Sequence, residues 1–241
     1  MSLFDLIGKR VAITGAAGGI GSAAAWICVE LGAEVVLSDR IVPEATASTA
    51  RSGGRTAQAV ALDVADRAAV EAWAAAVGPV DALIDCAAIC PFDDWEADAW
   101  DSARDEVFSI NLGGPLNLVR AFMPRMVARG GGRIALVGSI AGRIGGVQAS
   151  PHYVMSKGGI HSFVRWAAKR GAPHNVLVNA VAPGVVDTSM TRNQHFDTSD
   201  FPLRRKAEPH EIAGPLAFLI SPAASYVSGA VLDVNGVMHF S

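Results

Sequence analysis

The chain has 241 residues, 51% hydrophobic and 18% charged, which suits one large domain with a substantial buried core and excludes a disordered chain. Its net charge of -3 comes from 23 acidic and 20 basic residues mixed along the length, so it presents no field for nucleic acid. No run of eighteen apolar residues lacks a charge or breaker, and the start lacks the pattern of a signal peptide, so no membrane span is expected and the cytosol is the default location.

The apolar run Val11-Ala12-Ile13 leads into Gly15, after which Ile20 to Leu31 reads as a helix ended by Gly32. Val35 to Leu37 is a second short strand. The alternation continues with Ala59 to Leu62 as strand, Arg67 to Val77 as helix and Ala82 to Ile84 as strand. A long helical region follows from Asp98 to Val127, with Gly113-Gly114 and Pro124 as candidate breaks. Ile134 to Val137 is the next strand, Tyr153 to Lys169 a helix, and Val176 to Val181 a strand. Pro183 to Arg205 is irregular. Glu211 to Leu219 as helix and Val231 to Val234 as strand close the chain. Strands alternating with helices predict an α/β fold, a Rossmann-type doubly wound parallel sheet of about seven strands covered on both faces. No linker or repeat divides residues 1–241, so a single domain is expected, and the polar stretch 188–205 is either a substrate lid or a surface loop.

Three cysteines, Cys28, Cys86 and Cys90, give no disulfide framework. Cys86 and Cys90 are four apart, but no nearby histidine or further cysteine completes a zinc set. No metal is expected, and the thiols read as small buried hydrophobes.

The segment Thr14-Gly15-Ala16-Ala17-Gly18-Gly19-Ile20-Gly21 joins the first strand to its helix. Glycine permits a tight turn and close approach, and the helix start offers unpaired N–H groups to a pyrophosphate. The spacing differs from the common G-x-G-x-x-G, and such a turn alone also suits a purely structural role. Asp39, at the end of the second strand, adds an acceptor for ribose hydroxyls and repels a ribose phosphate, which favours NAD over NADP. Arg40 either neutralises part of that repulsion or faces solvent. Asp63 and Val64, at the end of the third strand, border the adenine side of the crevice or cap the following helix.

Tyr153 and Lys157 lie one helical turn apart and therefore on one face. An ammonium beside a phenol favours the phenolate and suits it to proton exchange with an alcohol or carbonyl oxygen. Ser139 follows the fifth strand, at the sheet edge where ligands of such folds bind.

Taken together, Thr14-Gly15-x-x-x-Gly19-Ile20-Gly21, Asn111, Ser139, Tyr153-x-x-x-Lys157, Pro183-Gly184 with Thr188, and Asp233-Val234-Asn235-Gly236 resemble the classical short-chain dehydrogenase/reductase family over residues 6 to 238. The resemblance implies that Tyr153 is the catalytic acid/base, that Ser139 polarises the substrate oxygen, and that Lys157 tunes Tyr153 and holds the nicotinamide ribose. Asn111 would interrupt the long helix and hold a water linking Lys157 to solvent. Around the cofactor it places Gly15, Gly18, Gly19, Ile20, Gly21, Asp39, Arg40, Asp63, Val64, Ala87, Pro183 and Gly184, with Val186 and Thr188 near the nicotinamide carboxamide. The sequence departs from the family at Asp85-Cys86-Ala87-Ala88, where Asn-Asn-Ala-Gly is usual, and at Asn235, where many relatives have glycine.

By family position the substrate pocket comprises Cys90, Phe92, Ile140, Arg143, Ile144, Val147, His152, Val185 and Met190. Their largely apolar character favours a small to medium secondary alcohol or ketone, cyclic or aromatic, over a sugar. Arg143 meets either a substrate anion or a loop carboxylate, and His152 is pocket edge or surface. The resemblance also implies a homotetramer or homodimer joined through the long helices and the C-terminal strand. The competing readings are an NADP-preferring ketone reductase and a non-catalytic dinucleotide-binding regulator or scaffold. An epimerase would carry a further substrate domain, and enoyl reductases space the tyrosine and lysine more widely.

Overall fold

The computed structural model describes residues 2–52, 56–146 and 148–240. Seven strands form one parallel sheet: β1 (Arg10–Thr14), β2 (Glu34–Asp39), β3 (Ala57–Ala61), β4 (Ala82–Asp85), β5 (Gly132–Val137), β6 (Val176–Pro183) and β7 (Val231–Val234), in the order β3-β2-β1-β4-β5-β6-β7. Strand order reverses between β1 and β4, which opens a crevice at their carboxyl ends.

Burial on both faces explains why the strands are short apolar runs. Val11 and Ile13 of β1 face the layer containing α1 (Gly19–Glu30), α2 (Glu44–Ser52) and the late helix Pro209–Ile220, while Ala12 faces the opposite layer. That second layer comprises α3 (Arg67–Ala76), α4 (Trp100–Phe108), α5 (Gly114–Ala128) and the long helix Pro151–Gly171. Between the layers' chain positions come α6 (Ala141–Ile144), α7 (Pro151–Gly171), α8 (Ser189–Arg192) and α9 (Pro209–Ile220), in that order. Each fully buried leucine or isoleucine, such as Ile13, Leu37 and Ile84, contributes about 2 kcal/mol by leaving water. Trp73 of α3 meets Phe122 of α5 edge to face at 5.4 Å between ring centres, closing the second layer.

The long helical region is interrupted once. Residues Ser109–Gly113 form a π turn between α4 and α5, which directs Asn111 into the interior. Pro124, the other candidate break, lies inside α5. The carbonyl it leaves without an N–H partner belongs to Arg120, an exposed residue. The stretch after Pro183 is less irregular than its sequence suggests, with α8 and a single 3-10 turn at Thr198–Asp200. Among the described residues no helix is long and apolar enough to cross a membrane.

Candidate active site

A groove of about 400 Å³ runs along the carboxyl ends of β1, β2 and β4. Gly15 makes the sharp turn at φ +65°, where a Cβ would stand 2.6 Å from the backbone of Cys86. That turn therefore brings the β1 loop against the end of β4. Asp39 accepts from the Ala17 amide at 2.9 Å and from the Arg40 amide at 2.7 Å, so it fixes the glycine loop from the side. Gly18, Gly19, Ile20, Gly21, Asp39, Arg40, Asp63, Val64 and Ala87 all line this groove, as do Ala88, Leu62, Ile110 and Thr188. A shallow, mixed polar and apolar groove beside a helix start, with a carboxylate at one end, fits a dinucleotide. The predicted second role of Asp63 is displaced by one turn: Asp66 caps α3, accepting from Ala68 and Ala69, while Asp63 accepts from Ala65.

Ser139 follows β5, and Tyr153 and Lys157 lie in the first turns of α7. The Ser139 hydroxyl is buried and accepts from the Ala141 amide at 3.0 Å. Lys157 is also buried; its Nζ donates to the Val137 carbonyl at 2.9 Å and lies 5.6 Å from the centre of the Tyr153 ring. Beneath them, Asp85 at the end of β4 accepts from the Thr14 hydroxyl at 2.6 Å and the Ala87 amide at 3.1 Å.

Burial governs the ionisation of this cluster. It lowers the Lys157 pKa, with Asp85, Cys90 and Cys86 acting in the opposite sense. It raises that of Asp85 against the hydrogen bonds from Thr14 and Ala87 and the charge of Lys157. Burial and then Cys90 hold Tyr153 above the usual phenol range, against a contact with Ser139. The expected lowering of the phenol by Lys157 is thus reversed in the free protein, where desolvation exceeds the attraction and the ammonium is directed to a carbonyl. Burial pushes the Cys90 thiol to about 12, so it is a neutral lining group.

Asn111 is fully buried. Its side chain accepts from the Ile89 amide at 2.9 Å and donates to the Ile89 carbonyl at 2.9 Å and to Ser156 at 3.2 Å. Asn111 thereby clamps the segment leaving β4. A few residues on, Phe92 meets Phe196 of the 188–205 stretch edge to face at 6.4 Å, and Gln148 donates to the His195 carbonyl at 2.7 Å. The 188–205 stretch is thus in contact with both Phe92 and Gln148.

The remaining sequence expectations divide. Ile140 is buried, bonded through its amide to the Pro183 carbonyl at 2.9 Å, and Ile144 is exposed at the end of α6. Gly184 bonds to the Val234 carbonyl at 3.1 Å, Val186 is buried, and Thr188 caps α8 and packs on Gly19. Val185 lines a separate cavity of about 80 Å³ with Phe201, Leu203 and Met238. Met190, expected at the substrate, lines the dinucleotide groove. Arg143 is not a free cation for substrate: its Nε lies 2.9 Å from Asp233 and its Nη2 donates to the Val231 carbonyl at 2.9 Å. His152 is neither surface nor pocket edge but wholly buried beside Asp93. Val147 lies outside the described residues. Sequence reasoning missed Asp93, Ser150 and Trp100, whose partners are distant in the chain. Among the described residues no three groups converge to hold a metal.

A parallel sheet with a glycine-lined groove at its carboxyl edge and a clustered serine, tyrosine and lysine beyond β5 is the arrangement of a nucleotide-dependent oxidoreductase. The family model described as "Enoyl-(Acyl carrier protein) reductase" matches residues 15–239. Galactitol 2-dehydrogenase (L-tagatose-forming) of Cereibacter sphaeroides is 39% identical, over 98% of this chain and 96% of its own. L-rhamnose 1-dehydrogenase (NAD(P)(+)) of Azotobacter vinelandii is 38% identical, over 96% of each. The solved structure of a putative NAD(P) dependent gluconate 5-dehydrogenase from Beutenbergia cavernae, with bound NADP at low occupancy, superposes with a TM-score of 0.92 at 35% identity, covering 98% of each chain. The chain belongs to the short-chain dehydrogenase/reductase family and is an NAD(P)-dependent oxidoreductase of small alcohols and ketones.

Proposed function

We propose that this enzyme uses NAD(H) in preference to NADP(H) and acts on a small to medium secondary alcohol, or its ketone, with a cyclic or aromatic frame. The observation that carries the reading is the contact of the Ser139 and Tyr153 hydroxyl side chains with Lys157 beside the Tyr153 ring, on the same sheet that carries the Asp39 groove; the Phe92–Phe196 pair supports an apolar substrate. Asp39 supports the NAD preference because its charge opposes a ribose phosphate.

Bound cofactor supplies the hydride acceptor or donor. The chain supplies placement and the proton. The Ser139 hydroxyl holds the substrate oxygen, and the Tyr153 hydroxyl takes the alcohol proton during oxidation or returns it during reduction. Lys157 holds the ribose and fixes positive charge beneath the ring. Arg143, paired to Asp233, is not available to an anionic substrate. The names of the polyol and sugar relatives favour a second reading, in which a polyhydroxylated substrate takes the same place.

The test is a panel of cyclic, aromatic and polyhydroxylated alcohols assayed with both cofactors by absorbance at 340 nm. Turnover concentrated in the cyclic and aromatic set with NAD is the expected result. Turnover concentrated in polyols establishes the second reading, and silence across the panel rejects both.

For assembly, the exposed Leu116 of α5 and Trp166 of α7, with Tyr226 and Phe240 beside the β7 edge, support a homotetramer or homodimer. Light scattering should give two or four times the chain mass, and Trp166→Glu should lower it. A monomeric wild type rejects this reading.

A further inference from the structure

The start of α7 is capped in an unusual way. Ser150 occupies the cap position, yet its hydroxyl does not bond back to the helix. It donates to the Asp93 carbonyl at 3.1 Å and also bonds the Asp93 carboxylate, while the Asp93 amide donates to it at 3.3 Å. The helix N–H that a capping serine ordinarily serves belongs to Tyr153. That amide is shared between the Ser150 carbonyl at 3.1 Å and His152 Nδ1 at 2.8 Å.

An amide N–H only donates, so Nδ1 carries the lone pair and the proton sits on Nε2. Nε2 lies 3.0 Å from the Asp93 carboxylate and donates to it. The ring has no exposure and stacks on Trp100, at the start of α4, with 5.1 Å between centres and 20° between planes. Burial raises the Asp93 pKa, but the bonds from Ser150 and His152 outweigh it and keep the carboxyl below its usual range. A buried ring placed between two partners, with both nitrogens used, is held in one orientation.

Those two partners belong to different parts of the site. One is the backbone of Tyr153. The other is the segment leaving β4, which Asn111 clamps at Ile89 and which the His152–Asp93 contact clamps four residues later. Cys90, Pro91 and Phe92 lie between the clamps, with Phe92 against Phe196. We propose that His152 is a positioning residue with two separable tasks: its Nδ1 sets Tyr153 against the substrate oxygen, and its Nε2 sets the Cys90–Phe92 wall that selects the substrate. This inference rests on the oxidoreductase reading of the site.

Two conservative variants divide the tasks. His152→Gln keeps a donor near the place of Nε2 and loses the Nδ1 acceptor. His152→Asn keeps an acceptor near the place of Nδ1 and loses the reach to Asp93. With the best substrate of the panel, H152Q should lower kcat about tenfold with KM within about twofold, and H152N should raise KM about tenfold with kcat within about twofold. Asp93→Ala should reproduce H152N, and combining the two should add little. NADH affinity should stay unchanged in all.

A readout that needs no substrate accompanies these: hydrogen exchange at the Tyr153 amide should be faster in H152Q than in H152N. Equal exchange in the two variants overturns the proposal. So do kcat and KM changes that are absent, or that move together in step with Tm. A wild type that turns over nothing while the exchange contrast persists rejects the oxidoreductase reading and keeps the two-sided clamp.

Discussion

The Lys157 ammonium donates to the Val137 carbonyl at 2.9 Å, at the end of β5, and so stands under the Tyr153 ring without needing the phenol oxygen as a partner. Burial lowers its pKa and the nearby Asp85 charge raises it. Removing that charge by Asp85→Asn therefore makes the ammonium easier to deprotonate. The alkaline limb of the kcat/KM profile should move down by about one pH unit. Asparagine can still accept from the Thr14 hydroxyl, so the strand ends should remain joined. A limb that stays in place or moves upward would remove Asp85 from this role.

Tyr153 is the proposed acid/base, and its side chain does not line the Asp39 groove. Tyr153→Phe should lower turnover by about a thousandfold or more while leaving the dissociation constant for NADH within about twofold. Stopped assays with concentrated enzyme and fluorescence titration measure the two quantities. Turnover retained within tenfold would sink the acid/base assignment.

Asp39 holds the Ala17 amide as well as facing the groove, so a variant that tests its charge should spare that bond. Asp39→Asn does so. The ratio of kcat/KM for NAD over NADP should fall at least about tenfold, which corresponds to about 1.4 kcal/mol of lost discrimination. A wild type that favours NADP, or a ratio that does not move, contradicts the assigned role.

Much of this site was legible because its residues sit at strand ends and helix starts, where local pattern carries the signal. Gly15 and Asp39 follow β1 and end β2, and Ser139 follows β5. Tyr153 and Lys157 share one turn of α7. The readings that needed correction depend on partners far along the chain. His152 reads as pocket edge or surface until Asp93 and Trp100 enclose it, and the choice between the two readings of Arg143, substrate anion or carboxylate partner, is made only by Asp233, on β7. Helix α2 escaped notice because it is polar over most of its surface and buries only Ala47 and Ala50. The π turn falls where Asn111 and Gly113 mark a break, but the bonds of Asn111 to Ile89 across the crevice join residues too far apart in the chain to be read locally.

His161 tests the acid side of stability. It lies on α7 against Gly138, 5% exposed, with Nε2 unpartnered among the described residues. Burial lowers its pKa to about 4, helped by Arg143, Arg165 and Lys157 and opposed by Asp233. Above the ordinary histidine value of 6.5 both folded and unfolded chains carry the neutral ring, so its contribution is fully present. Between pH 6.5 and about 4 only the unfolded chain takes up the proton, and stability falls by up to about 1.4 kcal/mol per pH unit from this group. Denaturant midpoints measured across that window should decline with acid in the wild type and decline less steeply in His161→Asn, whose amide takes up no proton there. The variant should begin from lower stability at pH 7, because asparagine fills less of the space against Gly138. Parallel declines in the two proteins would assign the acid loss to other groups.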